Sequence, residues 1–134
     1  MSAILPGTRA EAWRMQLIDG RAAIKQAFYN GTPIRKLLSR NCQLVDDVLC
    51  ELWQSLDLPA SATLMAVGGY GRRELFPYSD VDLLILLSHP PLPEEQTALE
   101  QLISLFWDIG LEVGSSVRTS DECLVEAERD ITIC

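Results

Sequence analysis

The stretch of sequence that decides the fold is residues 68–87, which reads GGYGRRELFPYSDVDLLILL. Its last part, Val81–Leu87, is apolar except for Asp82, and such a run predicts a central strand with both faces covered. The shorter apolar run Thr63–Val67 ends at two glycines and predicts a buried strand that enters a turn. Together the two runs predict the centre of a small sheet with a glycine turn between its strands.

Two carboxylates stand where the second predicted strand begins. Because side chains alternate along a strand, Asp80 and Asp82 are expected on one face, with their backbones about 7 Å apart. Like charges beside an apolar run are unfavourable unless a cation lies between them, and oxygen ligands of this kind suit Mg²⁺. Two such ions could activate an attacking oxygen and neutralise a leaving pyrophosphate. An isolated Asp-x-Asp is usually a solvated loop, but five aliphatic residues follow this one.

The glycines upstream of the two carboxylates suggest phosphate binding. Gly68 and Gly69 remove side chains where a backbone would approach phosphate, and free amides in such a turn bind anions. Arg72 or Arg73 could add charge-assisted hydrogen bonds to a triphosphate. A simple tight turn is the alternative for the glycines, and an exposed ion pair with Glu74 is the alternative for Arg72.

Helical patterns fill most of the first 58 residues. Glu11–Tyr29 is weakly amphipathic and is followed by Gly31, a typical helix stop. Apolar residues at helical spacing between Ile34 and Leu56 predict a second helix with one buried face.

Further elements are predicted after the two strands. Glu94–Trp107 is expected to be a helix and Leu111–Arg118 a third strand, and Thr119-x-x-Glu122 is a capping box that would open another helix. The fold class is therefore α/β (α+β): a helical section in residues 1–60, then a core with a small mixed sheet in residues 61–134.

Composition limits the classes of function. At 134 residues, with 48% hydrophobic and 22% charged residues, the chain suits one globular domain. A formal net charge of −8 argues against a broad nucleic-acid surface, although metal ions could still mediate nucleotide binding. The four cysteines form no C-x-x-C pair and are expected to be reduced. With neither a membrane span nor a signal peptide in view, we expect a cytoplasmic protein.

The motif in residues 68–87 resembles the signature of the PII uridylyltransferase/uridylyl-removing enzyme family, in the DNA polymerase β-like nucleotidyltransferase superfamily. Residues 111–123 and the second predicted helix are also similar to that family, so the resemblance spans nearly the whole chain. It implies transfer of UMP from UTP to a tyrosine of the PII nitrogen-signalling protein, with release of pyrophosphate. The family's HD domain, which removes UMP, and its glutamine-sensing ACT domains would lie outside these residues. Because the last residues are apolar, we expect the chain to be a fragment.

The resemblance also implies roles for single residues. Gly68 and Gly69 would approach the nucleotide phosphates, Asp80 and Asp82 would hold the metals, and Ser79 would either bind phosphate or only begin the strand. Polymerase β-like enzymes use a third carboxylate, for which Glu112 is the candidate, an ordinary exposed glutamate being the alternative. Tyr70 would line the nucleotide or only pack.

The sequence departs from the family pattern at two positions. Arg73 replaces a more usual glycine, and Ser115 replaces a histidine. Two other functions stay open: another nucleotidyltransferase, such as an adenylyltransferase, and a truncated, non-catalytic module that binds nucleotide.

Overall fold

The computed structural model describes residues 6–76, 79–119 and 131–132, starting with two long helices. Helix α1 spans Pro6–Tyr29 and helix α2 spans Ile34–Ser55. Gly31, at φ +86, lies just past the end of α1, as predicted. Helix α1 begins earlier than predicted, because proline is well tolerated in a first helical turn. Within the described part of the chain, none of the helices combines the length and the apolar composition that a membrane span requires.

A mixed sheet follows the two helices. Its strands are β1 (Thr63–Ala66), β2 (Val81–Leu87), β3 (Val113–Thr119) and β4 (Ile131–Thr132), in the order β3-β2-β1-β4. Strand β1 pairs antiparallel with β2 and β4, whereas β2 pairs parallel with β3. The predicted fold class, helices followed by a small mixed sheet, is confirmed.

Two helical segments connect the strands. A single turn, α3 (Gly68–Gly71), lies between β1 and β2. Helix α4 (Pro93–Asp108) makes the crossover from β2 to the parallel strand β3, which is the kind of connection that a parallel pair requires. The loop before β2 therefore opens at the same end of the sheet as the loop before β3.

The core lies between the sheet and the helices. Helix α2 buries one face, as its periodicity predicted, and β2 is buried along most of its length. The fully buried side chains of these two elements include Val45, Val48, Leu49, Leu52 and Ile85. One apolar cluster contains residues from α1, α2, α4 and the sheet. The division at residue 60 stays a prediction.

The third strand begins later than predicted. The amide of Leu111 donates to the carbonyl of Phe106 at 3.0 Å, so it belongs to the end of α4 and not to the sheet. The ladder with β2 starts at Val113, which is paired with Val81. The predicted capping box at Thr119-x-x-Glu122 extends outside the described residues.

The cysteines do not all match the expectation of free thiols. Cys42 is free and buried in α2, and burial raises the pKa of its thiol. Cys50, also on α2, is disulfide-bonded. The expectation of reduced cysteines was therefore wrong at Cys50.

Candidate active site

A glycine turn leads out of β1. Gly68 adopts φ +59, and the helical turn α3 starts there. The amides of residues 71–74 donate to carbonyls of residues 67–70 at 2.9–3.1 Å. The turn is thus held by its own backbone, and the amides of Gly68 and Gly69 lie at the end that a helical turn leaves open to other acceptors.

The carboxylate of Asp82 lies between two glycines. A Cβ atom on Gly68 would be 2.8 Å from Asp82 Oδ2, and a Cβ atom on Gly114 would be 3.0 Å from Asp82 Oδ1. Gly114 is also the ladder partner of Asp82 across the parallel pair β2–β3. Position 68 therefore needs glycine if the carboxylate is to keep its place, and a side chain at position 114 would require the carboxylate to move by a few tenths of an ångström.

Gly114 was not among the predicted site residues. Its contact with Asp82 depends on the register of two strands that are far apart in the sequence. The one signal in the sequence is a glycine within a strand, which often marks a close approach of backbone or ligand.

Asp80 and Asp82 lie together at the beginning of the central strand. Asp80 is exposed and directly precedes β2, whereas Asp82 is half-buried within it. Two carboxylates beside side-chain-free glycines fit Mg²⁺, which usually binds one or two carboxylates and completes its coordination with waters and substrate phosphates. Within residues 6–76, 79–119 and 131–132, no three His, Cys, Asp or Glu side chains form a metal-binding group.

Glu112 and Ser79 both lie close to the start of β2. They line a cavity of about 40 Å³ together with Arg21 and Gly110. The Glu112 carbonyl accepts a hydrogen bond from the Val81 amide at 2.8 Å, so the residue adjoins the start of β2. The structure thus brings Glu112 to the start of β2, which we call the entrance of the site. Among the described residues, Glu112 does not form a three-carboxylate cluster with Asp80 and Asp82. Its role as third carboxylate stays a prediction.

Arg72 directly follows the glycine turn, and its side chain is exposed. Its Nε atom is 3.8 Å from Glu74 Oε2, and both side chains are well exposed. Its Nη2 atom would be 3.8 Å from a Cβ atom on Gly69. An exposed ion pair of this length contributes little stability, so the guanidinium can turn toward an anion at Gly69.

Tyr70 and Arg73 both contact helix α2. The buried Tyr70 donates its phenolic hydrogen bond to Asp46 Oδ1, and Arg73 Nη1 donates to Asp46 Oδ2 at 2.6 Å. Burial and then the bond to Asp46 raise the pKa of Tyr70, and the same carboxylate raises the pKa of Arg73. Of the two arginines considered for phosphate binding, the structure therefore leaves Arg72 as the candidate.

The chain matches the nucleotidyltransferase domain family over residues 42–133. This range contains the glycine turn, the two carboxylates and the parallel strand pair. No solved structure matches the chain.

Several curated proteins are similar to the chain over most of its length. The bifunctional uridylyltransferase/uridylyl-removing enzyme of Cupriavidus pinatubonensis is 49% identical over 120 residues, which are 90% of this chain and 14% of that protein. The proteins of the same name from Thiobacillus denitrificans and Nitrosospira multiformis are 48% and 43% identical, over 90% and 92% of this chain. The chain spans about one seventh of the length of these relatives, 14% in each case.

Proposed function

This chain belongs to the nucleotidyltransferase domain family, and we propose that it performs metal-dependent transfer of UMP from UTP to a tyrosine of the PII signalling protein. The similarity to uridylyltransferases favours UTP as the donor. The proposal covers the transferase reaction alone and places it in the cytoplasm. The observation that carries it is the carboxylate of Asp82, fitted between Gly68 and Gly114 beside Asp80.

The residues of the site have separate tasks in this proposal. Asp80 and Asp82 hold Mg²⁺, which would neutralise phosphate charge when bound. The open end of the turn, at Gly68 and Gly69, allows the triphosphate to approach the backbone. Arg72 supplies a mobile positive charge, and Ser79 can donate a hydrogen bond at the entrance of the site.

The reaction is an in-line substitution at the α-phosphorus of UTP. The acceptor oxygen forms a new bond to that phosphorus, the bond to the pyrophosphate oxygen breaks, and the acceptor proton leaves to solvent. The protein contributes mainly by holding the triphosphate and the acceptor in line and by balancing charge. This division of labour needs no covalent intermediate on the protein.

Calorimetric titration with UTP, with and without Mg²⁺, tests the proposal. We expect Mg²⁺-dependent binding by the chain and its loss in the double variant Asp80→Asn/Asp82→Asn. The control, Asp19→Asn/Asp57→Asn, removes two exposed carboxylates that belong to neither the glycine turn nor β2 and makes the same change in net charge. Equal binding by both double variants would refute the assignment of the metal site.

Transfer is then measured with labelled UTP and PII. Labelling of PII by the chain, absent in the Asp80→Asn/Asp82→Asn variant, is the expected result. Preferential use of ATP would instead indicate an adenylyltransferase. Nucleotide binding without transfer to any acceptor would favour the non-catalytic module, in line with the absence of a three-carboxylate group among the described residues.

A further inference from the structure

The proposed function leaves one contact unused, which joins helix α2 to the glycine turn. It consists of Asp46, Tyr70 and Arg73, which we call the Asp46 clamp. One carboxylate accepts from both a phenol and a guanidinium, the latter at 2.6 Å. The Asp46 and Arg73 side chains are 20% and 38% exposed, so solvent screens this ion pair less than a surface pair.

The Asp46 clamp holds both ends of the segment from Tyr70 to Arg73. Tyr70 and Arg73 stand three residues apart, and the Arg73 amide also donates to the Tyr70 carbonyl at 3.0 Å. A second bond from α2, from Asn41 Nδ2 to the Leu75 carbonyl at 3.1 Å, holds the chain where it leaves the turn. The turn is therefore attached to α2 at Tyr70 and Arg73, and the residues that follow it are attached at Leu75.

Arg73 has an unusual backbone conformation. Its φ is +62, and within the described ranges it is the one non-glycine residue with a positive φ. Side chains disfavour this region, which glycine adopts readily. The ion pair with Asp46 offers a physical reason why an arginine is retained there.

The clamp is connected to the metal-binding carboxylates through the turn itself. The Arg72 amide, next to Arg73, donates to the Gly68 carbonyl at 3.1 Å, and Gly68 packs against Asp82 Oδ2. A shift of the turn away from α2 would therefore alter both the open amides and the space that Asp82 occupies.

We propose that Asp46 is a positioning residue, which holds the glycine turn in its nucleotide-binding conformation through Tyr70 and Arg73. The role rests on the proposed function, because it assumes that the turn receives the nucleotide phosphates. Asp46 itself touches neither the nucleotide nor the metal in this arrangement. It acts from the helical section of the chain on the site in the sheet.

Hydrogen exchange measured by mass spectrometry tests the clamp without nucleotide. In Asp46→Ala we expect the amides of residues 70–74 to exchange about tenfold faster, the size of effect that coupled neighbours commonly show. Asp47→Ala is the matched control, since Asp47 is exposed on the same helix and bonds to Gln43. Asp46→Asn can still accept from Tyr70 but loses the charge that faces Arg73, and serves if Asp46→Ala fails to fold. Unchanged exchange at residues 70–74 in a folded Asp46 variant would overturn the proposal.

A double variant separates positioning from a general effect on α2. Once Asp46 is removed, Arg73 keeps an unfavourable backbone conformation without its ion pair, and Arg73→Gly relieves it. We therefore expect Asp46→Ala/Arg73→Gly, or Asp46→Asn/Arg73→Gly, to recover much of the protection that the single Asp46 variant loses. Additive losses would show that Asp46 only stabilises the helix, and would overturn the proposal.

Nucleotide affinity gives the functional readout. For Asp46→Ala we expect the Kd for UTP with Mg²⁺ to rise roughly tenfold, with partial recovery in the double variant. Loosened exchange with an unchanged Kd would contradict the positioning role. Failure of the unaltered chain to bind UTP would instead overturn the proposed function, while the exchange data would still decide whether Asp46 holds the turn.

Discussion

The carboxylate of Asp82 occupies the space that a side chain on Gly68 would need. Asp82 Oδ2 would lie 2.8 Å from a Cβ atom there, and Gly68 has φ +59. Position 68 is therefore restricted twice, once by backbone conformation and once by the neighbouring carboxylate. The turn after β1 and the start of β2 cannot change independently of each other.

Gly68→Ala should separate these two restrictions when compared with Gly31→Ala. Both glycines have positive φ, at +59 and +86, but a Cβ atom on Gly31 would meet nothing within 4 Å. We expect each variant to lose about 1–2 kcal/mol of unfolding free energy from backbone strain. Only Gly68→Ala should also lose Mg²⁺-dependent UTP binding. Urea denaturation and calorimetry measure the two effects, and equal nucleotide affinity in both variants would contradict the fit between Gly68 and Asp82.

Gly114→Ala should weaken metal binding without affecting the turn. A Cβ atom on Gly114 would be 3.0 Å from Asp82 Oδ1, so the carboxylate must move. Groups that orient a metal ligand commonly change affinity by about 10–100-fold, and we expect roughly tenfold weaker binding of Mn²⁺, measured by electron paramagnetic resonance. Ser115→Ala, at the exposed neighbouring position, is the control. If Gly114→Ala binds Mn²⁺ as tightly as Ser115→Ala does, the contact has no influence on the metal.

Leu52→Ala should strongly destabilise the chain. Leu52 is fully buried in the cluster between α2 and the sheet. Such a truncation typically lowers the unfolding free energy by about 2–5 kcal/mol. Ile34→Ala, on the same helix but 49% exposed, should have a much smaller effect. Similar midpoints of thermal unfolding for the two variants would contradict the buried face assigned to α2.

Alkaline pH should destabilise the fold through Tyr70. Burial and the bond to Asp46 raise the pKa of Tyr70 in the folded chain, so the unfolded chain loses the phenolic proton first as the pH rises past about 10. The unfolding free energy should then fall with pH, by up to about 1.4 kcal/mol per unit, whereas below pH 10 the contribution is fully present.

The slope of stability against pH isolates this effect. Tyr70→Phe loses a hydrogen bond at every pH, but its unfolding free energy should decline less steeply above pH 10 than that of the unaltered chain. Urea denaturation at a series of pH values measures the slope. Tyr29→Phe, at an exposed position, is the control. Parallel curves for all three proteins would contradict the shift at Tyr70.

The architecture was predictable where the signal is local. The apolar run at Val81–Leu87 and the periodic face of α2 each determine an element by their own composition. Boundaries were less predictable, because they depend on bonds such as that from the Leu111 amide to the end of α4. The disulfide at Cys50 was not foreseen, since cysteine spacing does not show which thiols meet in space.

Only the part of the site that lies within residues 68–87 was predictable. The motif in residues 68–87 indicated the turn and the carboxylates, because their residue types are unusual at that spacing. Gly114 and Asp46 were missed for the opposite reason: a strand glycine and a helix aspartate are common, and their importance appears only when distant segments come together. Arg73 was recognised as a departure from the family pattern, but its ion pair with Asp46 was not predicted.

The ion pair between Asp46 and Arg73 has a consequence for the evolution of the family and for the design of chimaeras. An ion pair with an acidic residue at position 46 offsets the cost of a positive φ for an arginine at position 73. The two positions should therefore covary among homologues. Where position 73 is arginine we expect a carboxylate at position 46, and where it is glycine we expect a wider range of residues at position 46. A chimaera that takes its first 60 residues from one homologue and the remainder from another would have to exchange both positions as a unit.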